Sequence, residues 1–350
     1  MKNSEYRGVF RWLQWLQILI LVMILVGGIT RLTRSGLSIV EWNPIVGTLP
    51  PLTEADWQSE LLKYQQTPEG QIINSGISLD DYKKIFFWEY LHRLLGRVIF
   101  LWSLLPGLYY ARKGLLSWRQ VFLLPSLVAL QGVVGWLMVK SGLNQRPSVS
   151  HYMLAVHFFS ALILLASIKV LRWRLKLNVV RNALKGIGWK VYALSGLLLL
   201  QILWGCFVGG LQAGYVSNTF PLMNGKFFPA FDIHLQPVVL NFLEYPPVVH
   251  WTHRWLGISW LLSFGFFYWR SYREGTGRLE KKILNKIFFL LGLQVTLGIL
   301  TIALWVPIYL AAAHQVVACL LFLAWCDLFL LHGQHYRHKY LKESHTYDEI

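Results

Sequence analysis

Eight stretches of this 350-residue chain are mostly apolar over the length a helix needs to cross a bilayer. A hydrocarbon core of about 30 Å takes roughly 20 such residues. The stretches are 12–29, 86–110, 120–139, 152–171, 191–211, 248–269, 287–305 and 308–331. Only 14% of the residues are charged and the mean hydropathy is +0.44, which excludes an ordinary soluble enzyme. The expected fold is an all-α membrane protein with eight transmembrane helices. The net charge of +16 would suggest nucleic acid in a soluble protein; here it reads as membrane sidedness, with no nucleic acid partner.

Alternating spans divide the connections into two sets. One set, with both termini, carries 22 of the 33 Lys and Arg residues and the other 11; the nets are +15 and +1. The positive-inside rule then places both termini in the cytoplasm and the two long connections, 30–85 and 212–247, outside. The first stretch is longer than a usual signal-peptide core and lacks a small-residue cleavage site after it, so it reads as a span. About a dozen residues precede it, short for a cleavable presequence, which points to a bacterial inner membrane. Cys206, Cys319 and Cys326 lie in apolar stretches and read as small buried hydrophobes.

The two halves repeat. Glu-Tyr-Leu-His-Arg-Leu-Leu-Gly at 89–96 aligns with His-Trp-Thr-His-Arg-Trp-Leu-Gly at 250–257; Gln131 aligns with Gln294, and His157 with His314. Each half holds four spans, an even number, so the halves share one orientation. The chain is expected to form two tandem pseudo-symmetric four-helix bundles: residues 1–172, a cytoplasmic linker 173–190, and residues 191–350 with a short cytoplasmic tail.

Ionisable residues within spans are costly and mark function by default. His92, His157, His253 and His314 sit at similar depth on one side, and facing helices that each offer an imidazole can clamp a porphyrin iron from both faces. Gly96 and Gly257 follow two of these histidines by four residues and are expected to let a flat macrocycle approach. Zinc is the other candidate, but no Cys-x-x-Cys, His-Glu-x-x-His or carboxylate pattern accompanies the histidines, so heme is preferred. His332, His335, His338 and His345 read as solvated tail residues, His151 as a span-boundary residue and His234 as a loop residue; His250 occupies the repeat position of Glu89.

Two readings are open for Glu89. It is one turn from His92 and Arg93, so it is either an ion-pair partner that makes a polar helix end tolerable or an acid/base group beside a bound cofactor. The repeat places a carboxylate in one half only, as expected if the amino-terminal half is catalytic. Arg31, Arg34, Arg93, Arg97 and Arg254 are candidate propionate or site partners, with snorkelling interface anchors as the alternative.

The motif Gly-Ile-Thr-Arg-Leu-Thr-Arg-Ser-Gly-Leu-Ser at 28–38, with Trp42, Gly47 and Pro50-Pro51 after it, resembles the first outer loop of the heme A synthase family. So do Glu89-Tyr-Leu-His92-Arg93, residues 209–214 and 218–223, His253-Arg254 and His314-Gln315. The resemblance covers nearly the whole chain, in order. It implies conversion of heme O to heme A: the C8 methyl becomes a formyl group, with water as oxygen source. It further implies that His253 and His314 ligate the iron of a heme B, that His92 and His157 bracket the substrate heme O, and that Glu89 is catalytic, as a proton acceptor or as an anion stabilising a cationic intermediate. The implied partners are a heme O synthase, the cytochrome oxidase assembly machinery, an unidentified electron acceptor and membrane lipid, and a homo-oligomer is compatible with the sequence. The chain lacks the loop cysteine pair of some members and so resembles the cysteine-free branch. His250 departs from the glutamine more usual there.

The rival class is a diheme b-type membrane cytochrome that only transfers electrons. Four histidines suit it equally, but it needs neither Glu89 nor the long loop motifs. A transporter with heme-independent histidines is a weaker reading, because the chain shows no broken helices or midplane charge pairs.

Overall fold

The computed structural model describes residues 2–43, 46–143, 147–177, 188–228 and 235–347. The eleven α-helices among them are α1 (Lys2–Leu32), α2 (Glu54–Gln65), α3 (Pro68–Ile72), α4 (Leu79–Arg112), α5 (Trp118–Leu143), α6 (His151–Leu177), α7 (Trp189–Gly210), α8 (Val239–Glu244), α9 (Pro246–Arg273), α10 (Arg278–Ala303) and α11 (Ile308–Tyr347). The described residues form no strand, only an isolated bridge between Met223 and Lys226. The regular structure of the described residues is all-helical, as expected.

Seven helices are long and apolar enough to cross a membrane: α1 over Tyr6–Leu32, α4, α5, α6 over His151–Leu175, α7, α10, and α11 over Ile308–Gly333. Each contains or closely matches one expected stretch. The eighth stretch, 248–269, lies in α9, which has 28 residues but is not among the seven. At 1.5 Å per residue α9 is about 42 Å long, so length does not limit it. Its composition does, because its first turns carry His250, His253 and Arg254 among tryptophans.

The chain divides into two compact units. The first comprises Met1–Leu164 and Pro307–Val316, the second Leu165–Val306 and Val317–Ile350. Two of the boundaries thus fall within α6 and α11, and the third between α10 and α11. Residues 178–187 of the expected linker, and His234, lie outside the described residues.

In the first unit α4 packs against α1 and α5. Gly107 lies against Trp12 and Val121, and the Trp12 indole donates to the Trp102 carbonyl at 2.8 Å. The first long connection carries α2, started by a capping box between Thr53 and Asp56, and α3, started by Thr67 and Pro68. Leu61, Tyr64, Tyr82 and Phe86 form an apolar knot with Ile39 and Trp57, so burial of aromatic surface seats the connection on the first turns of α4. In the second unit α9 packs against α7, α8 and α10. Trp260 stacks on Phe264 at 5.3 Å and donates to the Leu194 carbonyl at 3.0 Å. Asp327 on α11 accepts from Lys169 and from the Trp173 indole, each at 2.8 Å.

Candidate functional site

Glu89, 3% exposed, is held by four donors in the first unit. Ser38 Oγ and the Ile39 amide both donate to Oε2 at 2.8 Å; Arg93 donates to Oε1 through Nη2 at 2.7 Å and Nε at 3.2 Å. The expected ion pair is therefore present, within a larger network. Four donors and no acceptor form the pattern that an ionised carboxylate takes. Arg93 also donates to the Ile39 and Glu41 carbonyls, each at 2.7 Å, and Arg97 to the Asn43 carbonyl at 3.0 Å. Both guanidinium groups thus clamp the backbone of 39–43. Ser38 is fully buried, and its carbonyl accepts from Tyr82 Oη at 3.0 Å.

His92 and His157 are within electrostatic reach of one another. Each has a buried Nδ1 without a hydrogen-bond partner. Gln131 Nε2 donates to the His157 carbonyl at 2.9 Å and stands 3.4 Å from His157 Nε2, while Ser160 Oγ bonds Gln131 Oε1. Glycines lie against both rings: a methyl group at Gly27 would stand 2.8 Å from His92 Cε1, and one at Gly135 would stand 3.0 Å from His157 Cε1. Gly205 bears the same relation to His253, at 3.1 Å.

The glycines expected beside the histidines act differently. A methyl group at Gly96 would meet the Met23 thioether methyl at 3.5 Å, and one at Gly257 the Gln201 amide at 3.0 Å. Gly96 and Gly257 thus make room for a neighbouring helix's side chain. The glycines against the rings carried a signal that sequence reasoning missed: Gln131 and Gly135, like Gln201 and Gly205, are one turn apart, and both members of each pair approach the same histidine.

In the second unit Arg254 is buried and clamps the second long connection. It donates to the carbonyls of Ser217 at 2.9 Å, Thr219 at 2.5 Å and Leu222 at 3.3 Å, and through Nε to His250 Nε2 at 3.1 Å. His250 therefore takes the role on Arg254 Nε that Glu89 takes on Arg93 Nε. His253 Nε2 stands 3.4 Å from Gln201 Nε2. His314 belongs to the first unit, beside Gln315, which donates to the Ile24 carbonyl at 3.0 Å.

Arg31 closes the last turn of α1, and Arg34 follows it in the left-handed conformation, φ 52°. The bonds Arg34 N to Arg31 O at 3.1 Å and Ser35 N to Thr30 O at 2.8 Å make this a Schellman stop, where glycine is usual. Retaining an arginine there costs about 1 kcal/mol or more, a strain that accumulates at functional positions.

Sequence reasoning also missed Glu69. It is 4% exposed on α3, with the Tyr64 hydroxyl donating to it at a long 3.4 Å. Burial pushes its carboxyl up to about 7, Tyr64 and Arg34 pull it down, and Glu89 adds to the rise. An isolated glutamate in a loop gives no pattern to read. Among the other histidines, His332 contacts Glu280 at 2.9 Å; the side chains of His335, His338 and His345 lie outside the described residues. Among the described residues Cys206, Cys319 and Cys326 form no disulfide.

A family model described as cytochrome oxidase assembly protein, COX15-CtaA, matches residues 10–326. The chain is 43% identical over 339 residues to the heme A synthase of Nitrosospira multiformis, covering 92% of this chain and 93% of that protein. It is 40% identical over 321 residues to that of Rhodospirillum centenum, covering 88% and 84%. It is also 38% identical over 327 residues to that of Wolbachia pipientis wMel, covering 91% of each. A match that runs from the first apolar helix into the last, through every histidine and arginine of the candidate site, means that the chain belongs to the cytochrome oxidase assembly protein family.

Proposed function

We propose that this chain is a heme A synthase, an oxidoreductase that converts the C8 methyl of heme O to a formyl group with water as oxygen source. The observation that carries the reading is the Glu89 network, a buried carboxylate fixed by four donors one helical turn from His92. An electron-transfer cytochrome has no use for it. The relatives named above are called heme A synthases, which supports the same reading.

His92 and His157 fit a porphyrin iron. Their donor chemistry is right, their Nδ1 atoms carry no hydrogen bond, and Gly27 and Gly135 let a helix backbone close against each ring and hold it in place. Bound there, the substrate's iron and macrocycle supply the redox chemistry. Gln131 orients His157 by holding its carbonyl. Glu89 presents fixed negative charge at the reacting methyl, which favours a cationic centre, and its donors hold it there without reorganisation. Arg93 and Arg97 keep the first connection closed over this carboxylate and so restrict water. Arg34 and Arg31, at the Schellman stop, are the candidates for propionate contact. Arg93 and Arg254 are committed instead to the backbone of the connections and to Glu89 and His250.

For His253 and His314 as ligands of a heme B, the support is the sequence repeat and the resemblance. α9 is read as the eighth span, and the halves as tandem pseudo-symmetric bundles. Charge asymmetry supports a bacterial inner membrane with cytoplasmic termini and the heme sites toward the outer side. A heme O synthase upstream, the oxidase assembly machinery downstream and an electron acceptor complete the reading.

The test is co-expression with a heme O synthase in a host lacking heme A, followed by extraction and mass measurement of the hemes. Heme A or its hydroxylated precursors, lost in Glu89→Ala, is the expected result. Bound but unmodified heme O in a well-folded protein would leave the electron-transfer reading in its place.

A further inference from the structure

Both long connections are clamped by an arginine in the same way. Arg93 holds the carbonyls of Ile39 and Glu41, and Arg254 those of Ser217 and Thr219. Ser217 and Thr219 lie 178 positions after Ile39 and Glu41, and the left-handed residues Arg34 and Gln212 keep the same spacing. That register puts Val216 at the position of Ser38 and, with the arginines aligned, His250 at that of Glu89. The second connection is thus clamped without a hydroxyl and without a carboxylate.

The clamp alone therefore does not require Ser38. Its hydroxyl is nonetheless fully buried and lies 2.8 Å from Glu89 Oε2, and the Tyr82 hydroxyl fixes the carbonyl of the same residue. Tyr82 is itself fully buried in the aromatic knot, so the Ser38 backbone has a rigid seat. A buried hydroxyl aimed at a carboxylate gives a charge-assisted bond, stronger than a neutral one and directional.

We propose that Ser38 is a positioning residue for Glu89, its hydroxyl fixing the orientation and charge distribution of the carboxylate that acts on the substrate methyl. This rests on the synthase reading above. Ser38 and the Ile39 amide hold Oε2 while Arg93 holds Oε1, so loss of the hydroxyl lets the carboxylate rotate about its remaining anchors. The connection itself stays in place, because Arg93, Arg97 and Tyr82 grip backbone carbonyls that the substitution leaves intact.

The experiment compares full-length wild type, Ser38→Ala and Ser38→Thr in detergent. Infrared difference spectra against Glu89→Gln isolate the Glu89 carboxylate stretch. In Ser38→Ala that stretch moves, and in Ser38→Thr, which keeps a hydroxyl, it returns toward wild type. With heme O supplied, Ser38→Ala lowers turnover about tenfold or more with KM within about twofold of wild type, and Ser38→Thr recovers most of it. Amide exchange over residues 36–41 stays slow in all three.

An unmoved stretch or wild-type turnover in Ser38→Ala overturns the proposal. So does fast exchange over 36–41, which would make Ser38 a structural residue of the loop. If wild type makes no heme A, the synthase reading fails separately, while the infrared comparison still decides whether Ser38 governs Glu89.

Discussion

Gly27 lies edge-on against the imidazole of His92, so close that a single methyl group there would stand 2.8 Å from Cε1. A ring on the face of α4 and a missing side chain on α1 are thus one feature. Gly27→Ala is expected to push the His92 ring away or part the helices, at about 1–3 kcal/mol, the usual range for overpacking. Heme content per protein should fall and the visible spectrum of bound heme should shift. Gly135→Ala, at 3.0 Å from His157, should have the same effect more weakly.

Arg254→Ala removes the donors to three loop carbonyls and to His250. The expected cost is about 2–4 kcal/mol, read as a lower thermal midpoint and faster proteolysis within residues 217–228. Arg254→Lys should recover only part of this, because an ammonium cannot reproduce the planar fork that reaches several acceptors.

Glu69 gives a pH dependence with a definite sign. Its folded carboxyl, at about 7, sits above the ordinary glutamate value of 4.5, so the folded chain binds that proton more tightly than the unfolded one. Its contribution is complete below about pH 4.5 and is lost as pH rises through 7, by about 3 kcal/mol in all. Amide exchange of residues 64–74 should accelerate over that window. Glu69→Gln should flatten the dependence and slow exchange at pH 8.

The pair Lys169–Asp327, at 2.8 Å and largely buried, should behave as buried ion pairs do. Asp327→Asn strands the Lys169 charge and weakens the bond to Trp173, costing about 3–5 kcal/mol. Replacing both members by apolar residues of similar volume should cost much less, measured by thermal unfolding of the purified protein.

The helices were legible because long apolar runs have few alternatives once composition points to a membrane. The polar start of α9 blurred the signal in one place, where function and hydropathy compete for the same turns. The candidate site was legible as a set of residue types: Glu89, His92 and His157 carry costs that demand an explanation. Their supports were not. Ser38 is an ordinary loop serine until the fold brings it to Glu89 across about 50 positions, and Glu69 is an ordinary loop acid until Tyr64 closes over it. The Glu89–Arg93 pair was legible, but the grip of Arg93 and Arg254 on the connections was hidden because backbone carbonyls leave no trace in a sequence.

That last point bears on how such loops can change. A guanidinium that grips main-chain oxygen is indifferent to which side chains flank it, so the clamp itself constrains residues 39–43 and 217–222 in length and not in identity; Ile39, Ser217 and Thr219 are held by their own side-chain contacts. An inserted residue would slide the gripped carbonyls out of reach, whereas a replaced one would leave the grip itself unchanged. The two connections are spelled by their spacing, and diversification of this surface should proceed by substitution long before it tolerates a change of register.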